Sequence, residues 1–358
     1  MSLTRRGRVL LGLVTVFVLA AGGVGVVMAL GGGPGLGRTG SGQQAAGGPS
    51  GTQTTPPPPP ECPLTGVDPK GTVPLRPPLA VKVENLPAAR PQTGLSWADI
   101  VYEEPVEGGI TRFIAVYQCQ SASRIEPVRS GRLTDVDILR QFGQPIVGYS
   151  GGVRSVVNAF AKAGFVDVSQ GTARGGSAYH RDANRAAPHN LYSSTKVLYA
   201  AARGMFQPQA PDPLFTYSDE VPADASTVRK IHVPFSSSSD VFWKWSKTKK
   251  AWLRFHGTVP HVSSDGSQFS AKNVLVQVVQ IKLTDVTDAN GVHSPRAITV
   301  GTGKAYVFRN GKMIKGTWER DSAADITKFV DANGEEIPLA PGNTWIELLP
   351  EDRTVTFS

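Results

Sequence analysis

Between residues 79 and about 205, short apolar runs of strand character alternate with amphipathic segments of helical period. LAVKVEN (79–85), ITRFIAVYQCQ (110–120) and PIVGYS (145–150) read as strands, the second by alternation and richness in β-formers. Helices are expected over Trp97–Ile100, capped by Ser96, and over Asp135–Phe142, capped by Thr134. VRSVVNAFAKAG (153–164) places apolar residues on one helical face and ends at Gly164, and Ser193 or Ser194 can cap a helix over Thr195–Gly204. From about 226 the helical period disappears. DVFWKWSKTKKAWLRF (240–255) reads as a hairpin with a Lys-rich turn, and NVLVQVVQIKLTDV (273–286) as one long central strand. AYVFRNGKMIKGTW (305–318) sets Asn310-Gly311 between two alternating runs, a strong hairpin signal, which Asn333-Gly334 repeats. TWIELLP and RTVTF close the chain. The pattern predicts an α+β fold: an α/β layered domain over 61–210, then an antiparallel β domain over 211–358, with the break in a Pro- and Asp-rich stretch at 206–225.

The first 60 residues follow neither pattern. Residues 9–30 are uncharged and apolar, long enough to span a bilayer, and Arg5, Arg6 and Arg8 precede them. The positive-inside rule puts residues 1–8 in the cytoplasm and the rest of the chain outside. A cleaved signal peptide is the other reading, with Val27 and Ala29 meeting a small-residue rule; the length of the run favours a transmembrane signal-anchor. Residues 31–60 hold 10 Gly and 7 Pro, which cannot bury a core, so a disordered Gly/Pro linker is expected there. Its terminal Pro56–Pro60 run would form a stiff rod about 15 Å long.

Charge follows the same partition. The formal net charge is +8. Four arginines and no acid in 1–60 give +4; 16 basic against 12 acidic residues in 61–210 give +4; 17 against 17 in 211–358 give zero. With half the excess in the topology signal and tether, and no basic helix or aromatic–basic ladder, nucleic-acid binding loses its support. Arginine outnumbers lysine 12 to 4 in the first part, whereas lysine outnumbers arginine 11 to 6 in the second. Arginine suits bidentate contact with carboxylate or phosphate, so a ligand site is expected in the first part. The two cysteines, Cys62 and Cys119, would lie outside the cell, where thiols oxidise. A disulfide between them is expected, with two unreacted thiols as the alternative.

Four clusters carry candidate chemistry. YEEPVEGGITRF (102–113) brings Glu103, Glu104 and Glu107 before Arg112; a carboxylate pair suits glycoside hydrolysis, and a solvated turn with a Glu107–Arg112 ion pair is the plainer reading. PVRSGR (127–132) sets Arg129 and Arg132 before a helix, an anion site or a scaffold of ion pairs. APHNLYSST (187–195) holds His189 and Asn190 rigidly after a proline. GYSGG (148–152) matches the nucleophile-elbow pattern around Ser150, with Asp167 or Asp182 and then His189 following in hydrolase order. The histidines show no metal-ligand spacing apart from His256, His261 and Asp265 around one turn, and no metal or cofactor is expected. Trp243, Trp245 and Trp252 on one hairpin read as a core face, with a glycan-stacking platform as the alternative.

These segments, from RPPLAVKVENLPAARPQTGLSWADIVYEEPVEGGITRF through RIEPVRSGR and PHNLYSST to KNVLVQVV, GKMIKGTW and APGNTWIELLP, resemble the YerB-like family, proteins classed as lipoproteins that carry a two-part domain of unknown function. The resemblance covers nearly all of residues 62–358. It implies a bacterial surface protein with an α/β part and a β part, and brings no activity. Many members are anchored by a lipidated cysteine, which this chain lacks after its apolar run, and the resemblance supplies no serine at the position of Ser150.

The leading expectation is a membrane-tethered extracytoplasmic module that binds an anionic or glycan component of the cell envelope. Glu103, Glu107, Arg112, Arg129, Arg132, His189 and Asn190 are its expected ligand-binding residues. The alternatives are an envelope hydrolase acting through Glu103/Glu107 or Ser150, and a structural module whose β part docks a partner protein.

Overall fold

The computed structural model describes residues 61–288 and 290–358. The expected membrane anchor and linker lie outside them; among the described residues no helix is long and apolar enough to cross a membrane. The protein is mostly sheet with few helices. One continuous sheet runs in the order Lys328–Val330, Lys312–Arg320, Gly301–Arg309, Asn273–Val279, Thr344–Pro350, Ile100–Pro105, Thr111–Tyr117, Leu79–Glu84, Ile146–Gly148 and Val166–Asp167. The first five strands come from the second part of the chain and the last five from the first part.

The join is made by Thr344–Pro350. It pairs parallel with Asn273–Val279 on one side and with Ile100–Pro105 on the other. A purely antiparallel second part is therefore corrected: parallel neighbours leave no edge, and this strand is buried on both faces, which suits its near-continuous apolar sequence. A second sheet, built on Lys230–Ser236, Ser239–Ser246 and Ala251–His256, packs over one face of the long sheet. Helices α1 (Leu133–Leu139) and α2 (Arg154–Lys162) pack on the opposite face, and α3 (Thr195–Ala201) on the same face as the second sheet.

Local signals are realised with instructive exceptions. Ser194 Oγ accepts from Val197 N at 3.2 Å and caps α3. Asn310 and Gly311 both take positive φ, 50° and 71°, as a tight hairpin turn between twisted strands requires. Trp97–Ile100 is not a helix: a short turn over Leu95–Trp97 leads into Ile100–Pro105, because the β-rich IVYEEP run gains two strand partners. The run 273–286 is not one strand. It leaves the main sheet after Val279, and Ile281–Thr287 pairs instead with His293–Ala297 as a projecting ribbon. Polarity explains the break, since NVLVQVV is buried whereas no residue of IKLTDVT is, with Leu283 74% exposed. Trp243 and Trp252 are fully buried and Trp245 is half-buried against Trp252, so the three do not form a stacking platform.

Two charge networks lie within the sheet's faces. Strand alternation sends Glu103 toward the second sheet and Glu104 toward the helices. Glu103 pairs with Arg254, both fully buried, and accepts from Thr111 Oγ1 at 2.5 Å. The Arg254 guanidinium lies among the rings of Phe113, Trp243 and Trp345 and donates to His256 Nε2 at 3.0 Å and His261 Nδ1 at 2.5 Å. Burial and this guanidinium push both histidines well below their usual range. Glu347, opposite Glu103 in register, accepts from Trp243 Nε1 at 2.8 Å; burial and the neighbouring Glu103 push its carboxyl well above the usual range. On the helix face Lys82 meets both Glu104 and Asp135. One ammonium faces two buried carboxylates, and burial, then Asp135, raises Glu104 to about 8.

Cys62 and Cys119 form a disulfide across 57 residues, which staples the first described residues to the end of Thr111–Tyr117. Its reduction is expected to lower stability by about 4 kcal/mol, read as a shift in urea midpoint with and without reductant. Glu103→Leu strands Arg254 as a buried charge and should cost about 3–5 kcal/mol, whereas adding Arg254→Met should recover much of the loss; equal destabilisation in both variants would refute the pairing. Glu104 keeps its proton longer in the folded than in the unfolded chain, so its contribution is complete below its unfolded value and fades as pH rises toward about 8. Thermal midpoints of Glu104→Gln should therefore fall less than those of the parent between about pH 4.5 and 8.

Candidate functional site

Four of the residues singled out from sequence line one cleft. Glu107, Arg112, Arg129 and Arg132 surround a cavity of about 420 Å³ together with Ser130, Gly152, Val153, Val156, and Val286, Thr287, Asp288, Asn290 and Ser294 from the projecting ribbon. Local sequence places each group. Gly108 and Gly109, at φ 73° and 70°, turn the chain sharply after Ile100–Pro105 and bring Glu107 back over the sheet end. Arg112 follows at the start of Thr111–Tyr117, on the helix face. The PVRSGR segment is laced to both neighbours, with Arg129 N donating to Lys82 O at 2.9 Å and Gly131 N to Gly151 O at 3.0 Å.

The arginines divide the available carboxylates unequally. Arg132 forms a fork with Glu107, at 2.7 Å from Nε and 2.5 Å from Nη2, and Glu107 also accepts from Ser294 Oγ. Although burial opposes it, the contacts of Arg132 and Ser294 hold the Glu107 carboxyl below its usual range. Arg129 Nε lies 3.0 Å from Glu84 Oε1, and His189 Nδ1 contacts the other Glu84 oxygen at 2.9 Å. Arg112 makes no ion pair among the described residues; Nη1 donates to Ser130 O at 3.0 Å and its buried Nε has no partner. Burial, then the like charges of Arg132 and Arg129, lowers it to about 10. Three guanidiniums thus face two carboxylates, and the cation without a carboxylate is the most buried of the three.

The remaining predicted residues are elsewhere. Glu103 is in the Arg254 network on the opposite face from Glu107, so these two carboxylates do not flank a common bond. His189 reaches the cleft only through Glu84. Asn190 orders its own loop, donating to Asp182 O and Arg185 O at 3.1 Å each. The elbow pattern is not assembled: Ser150 N donates to Arg129 O, while Asp167 meets Tyr149, Asp182 meets Arg124 and His189 meets Glu84. His256 and His261 share Arg254, which sets a positive charge where a metal would have to sit, and Asp265 lies in an exposed turn.

Sequence reading missed Glu84 and the ribbon wall. The turn signal Asp288–Gly291 was available and marks the reversal between Ile281–Thr287 and His293–Ala297. Nothing local indicates that this reversal hangs over arginines more than 150 residues earlier. A second cleft, about 450 Å³, is lined by Pro77, Phe142, Gln144, Phe206, Gln209 and Leu214 among others and presents amides and apolar groups rather than cations.

Comparison with known proteins agrees with the resemblance carried by the motifs. Residues 64–206 match the N-terminal domain, and residues 231–346 the C-terminal domain, of a family described as protein of unknown function (DUF3048). The chain is 30% identical over 298 residues to "Putative lipoprotein YerB" of Bacillus subtilis (strain 168), covering 81% of this chain and 86% of that protein. The crystal structure of YerB from Bacillus subtilis matches with a TM-score of 0.70 at 26% identity, covering 83% of this chain and 99% of that one. Glu107, the three arginines and the start of α2 fall within the first matched segment and the ribbon within the second, and the chain belongs to the DUF3048 family.

Proposed function

We propose that this protein is a membrane-tethered, extracytoplasmic binding module whose arginine cleft holds an anionic component of the cell envelope. One observation carries the reading: Arg112, Arg129 and Arg132 line one cleft with two carboxylates paired to them, and the buried Arg112 has no carboxylate of its own. A buried guanidinium without a counter-ion is costly, and a bound anion repays that cost. Arg309 and Arg320 are also buried without a carboxylate, but each gives its guanidinium to at least two backbone carbonyls, whereas Arg112 has one such acceptor and lines a cleft. The setting is supported by the apolar run at 9–30, by the disulfide, which suits an oxidising compartment, and by the relative's description as a lipoprotein. Catalysis finds less support, because Glu103 and Glu107 lie on opposite faces and Ser150 has no histidine partner.

Isothermal titration of the full chain in detergent micelles against anionic envelope polymers should show saturable binding that weakens with salt. Arg112→Ala and Arg129→Ala should each reduce affinity about 10- to 100-fold, as expected for loss of a charge-assisted hydrogen bond. Absence of binding, or binding indifferent to both substitutions, refutes the reading.

A further inference from the structure

We infer that the anion is a phosphoryl group carried on a hydroxylated scaffold, a phosphorylated sugar or polyol; this rests on the anion-binding reading above. The first observation is the start of α2. Gly152, the N-cap residue Val153 and Val156 of this nine-residue helix line the cleft, no side chain caps it, and its first turn holds no acid. The leading N–H groups of a helix have no intrahelical acceptors and together present about half a positive charge. The second observation is independent. Arg112 is 6% exposed, lines the same cleft, and has an Nε without a partner. Arg129 Nε lies 3.0 Å from Glu84 Oε1 as an ion pair without a hydrogen bond, and among the described residues its guanidinium donates no hydrogen bond to protein. Donors therefore arrive from Arg112, from Arg129 and from the helix end. A carboxylate offers two coplanar oxygens, whereas a tetrahedral phosphoryl group offers three oxygens that diverge in space, one toward each of these donors.

The scaffold follows from the opposite wall. Thr287, Asp288, Asn290 and Ser294 come from the ribbon, which is fixed to α1 by Arg296 on Asp137 at 2.7 and 2.8 Å. Asp288 Oδ1 accepts from Asn290 N and Val292 N, both at 2.9 Å, which holds its carboxylate on that wall. A carboxylate there accepts sugar or polyol hydroxyls and repels a second anion. A cleft of about 420 Å³ also exceeds one phosphate.

The test is isothermal titration of the full chain in micelles with inorganic phosphate, glucose 1-phosphate, glycerol 3-phosphate, a glycerol phosphodiester and glucuronate. The phosphorylated sugar or polyol should bind at least about 10-fold tighter than inorganic phosphate and glucuronate. Val153→Asp places a favourable cap on α2 and a carboxylate in the anion seat, so phosphate-ester binding should vanish while the thermal midpoint holds or rises. Asn290→Ala, at the exposed ribbon tip, should bring the sugar phosphate down toward inorganic phosphate. A preference for diester over monoester identifies phosphate within a polymer as the source, and the reverse a terminal phosphate; either supports the inference. Glucuronate binding as tightly as the phosphate esters overturns it while leaving an anion cleft, as does ester binding unchanged by Val153→Asp. Inorganic phosphate binding as tightly as the esters overturns the scaffold. Failure of every anion, envelope polymers included, removes the binding reading itself.

Discussion

The strand Thr344–Pro350 lies between Asn273–Val279 and Ile100–Pro105 and bonds to both in parallel, and the rest of the molecule adjusts to that insertion. Parallel neighbours on both sides bury the strand's backbone groups, so the two parts of the chain cannot separate without exposing them. The same register sets Glu347 beside Glu103 in the layer between the two sheets. Glu103 there needs a cation, which Arg254 from the second sheet supplies within a cage of three aromatic rings, while Glu347 holds its proton above the usual carboxyl range. A buried ion pair of this kind adds little net stability over apolar packing. Its effect is selective: only the arrangement that brings Arg254 to Glu103 leaves neither of these two buried charges alone.

Strand alternation then determines what each carboxylate of the YEEP run can do. Glu103 and Glu104 are neighbours in sequence and go to opposite faces, one to Arg254 and the other to Lys82 and Asp135. Both are consumed in holding layers together. Glu107 escapes this because it lies past the strand end, where two glycines turn the chain back toward Arg132. The cleft occupies that end of the sheet, where loops from the first part and the ribbon from the second meet. Rigid strands and α2 position the cations, and the ribbon, reached through the Glu107–Ser294 contact, closes one side.

Much of this was legible in the chain itself. Period-2 runs, the Ser194 cap and the Asn310-Gly311 turn predicted several elements near their observed bounds, because each depends on residues close in sequence, whereas Ser96 caps no helix and Thr134 lies inside α1, whose N-cap position is Arg132. The excess of arginine in the first part pointed to Arg112, Arg129 and Arg132, which do share a cleft. The reading failed where partners are distant. IVYEEP passed for a helix start and a turn until Thr344–Pro350 joined it, and the 273–286 run could not show that its second half leaves the sheet. Asn190 looked like a site residue by its proximity to His189, yet its amide is spent on its own loop.

By itself the sequence determined the kinds of element, the division into helix-bearing and hairpin-bearing parts, the oxidisable cysteine pair and the arginine bias. Those properties are set by local backbone preference and by composition. Only the tertiary structure decided that the two parts share one sheet, that Glu103 and Glu107 face opposite ways, and that Arg112 lines the cleft as a buried cation without a carboxylate. These depend on which strands pair and in what register, and the pairing energy comes from groups 71 to 244 residues apart that carry no mark of one another in the chain.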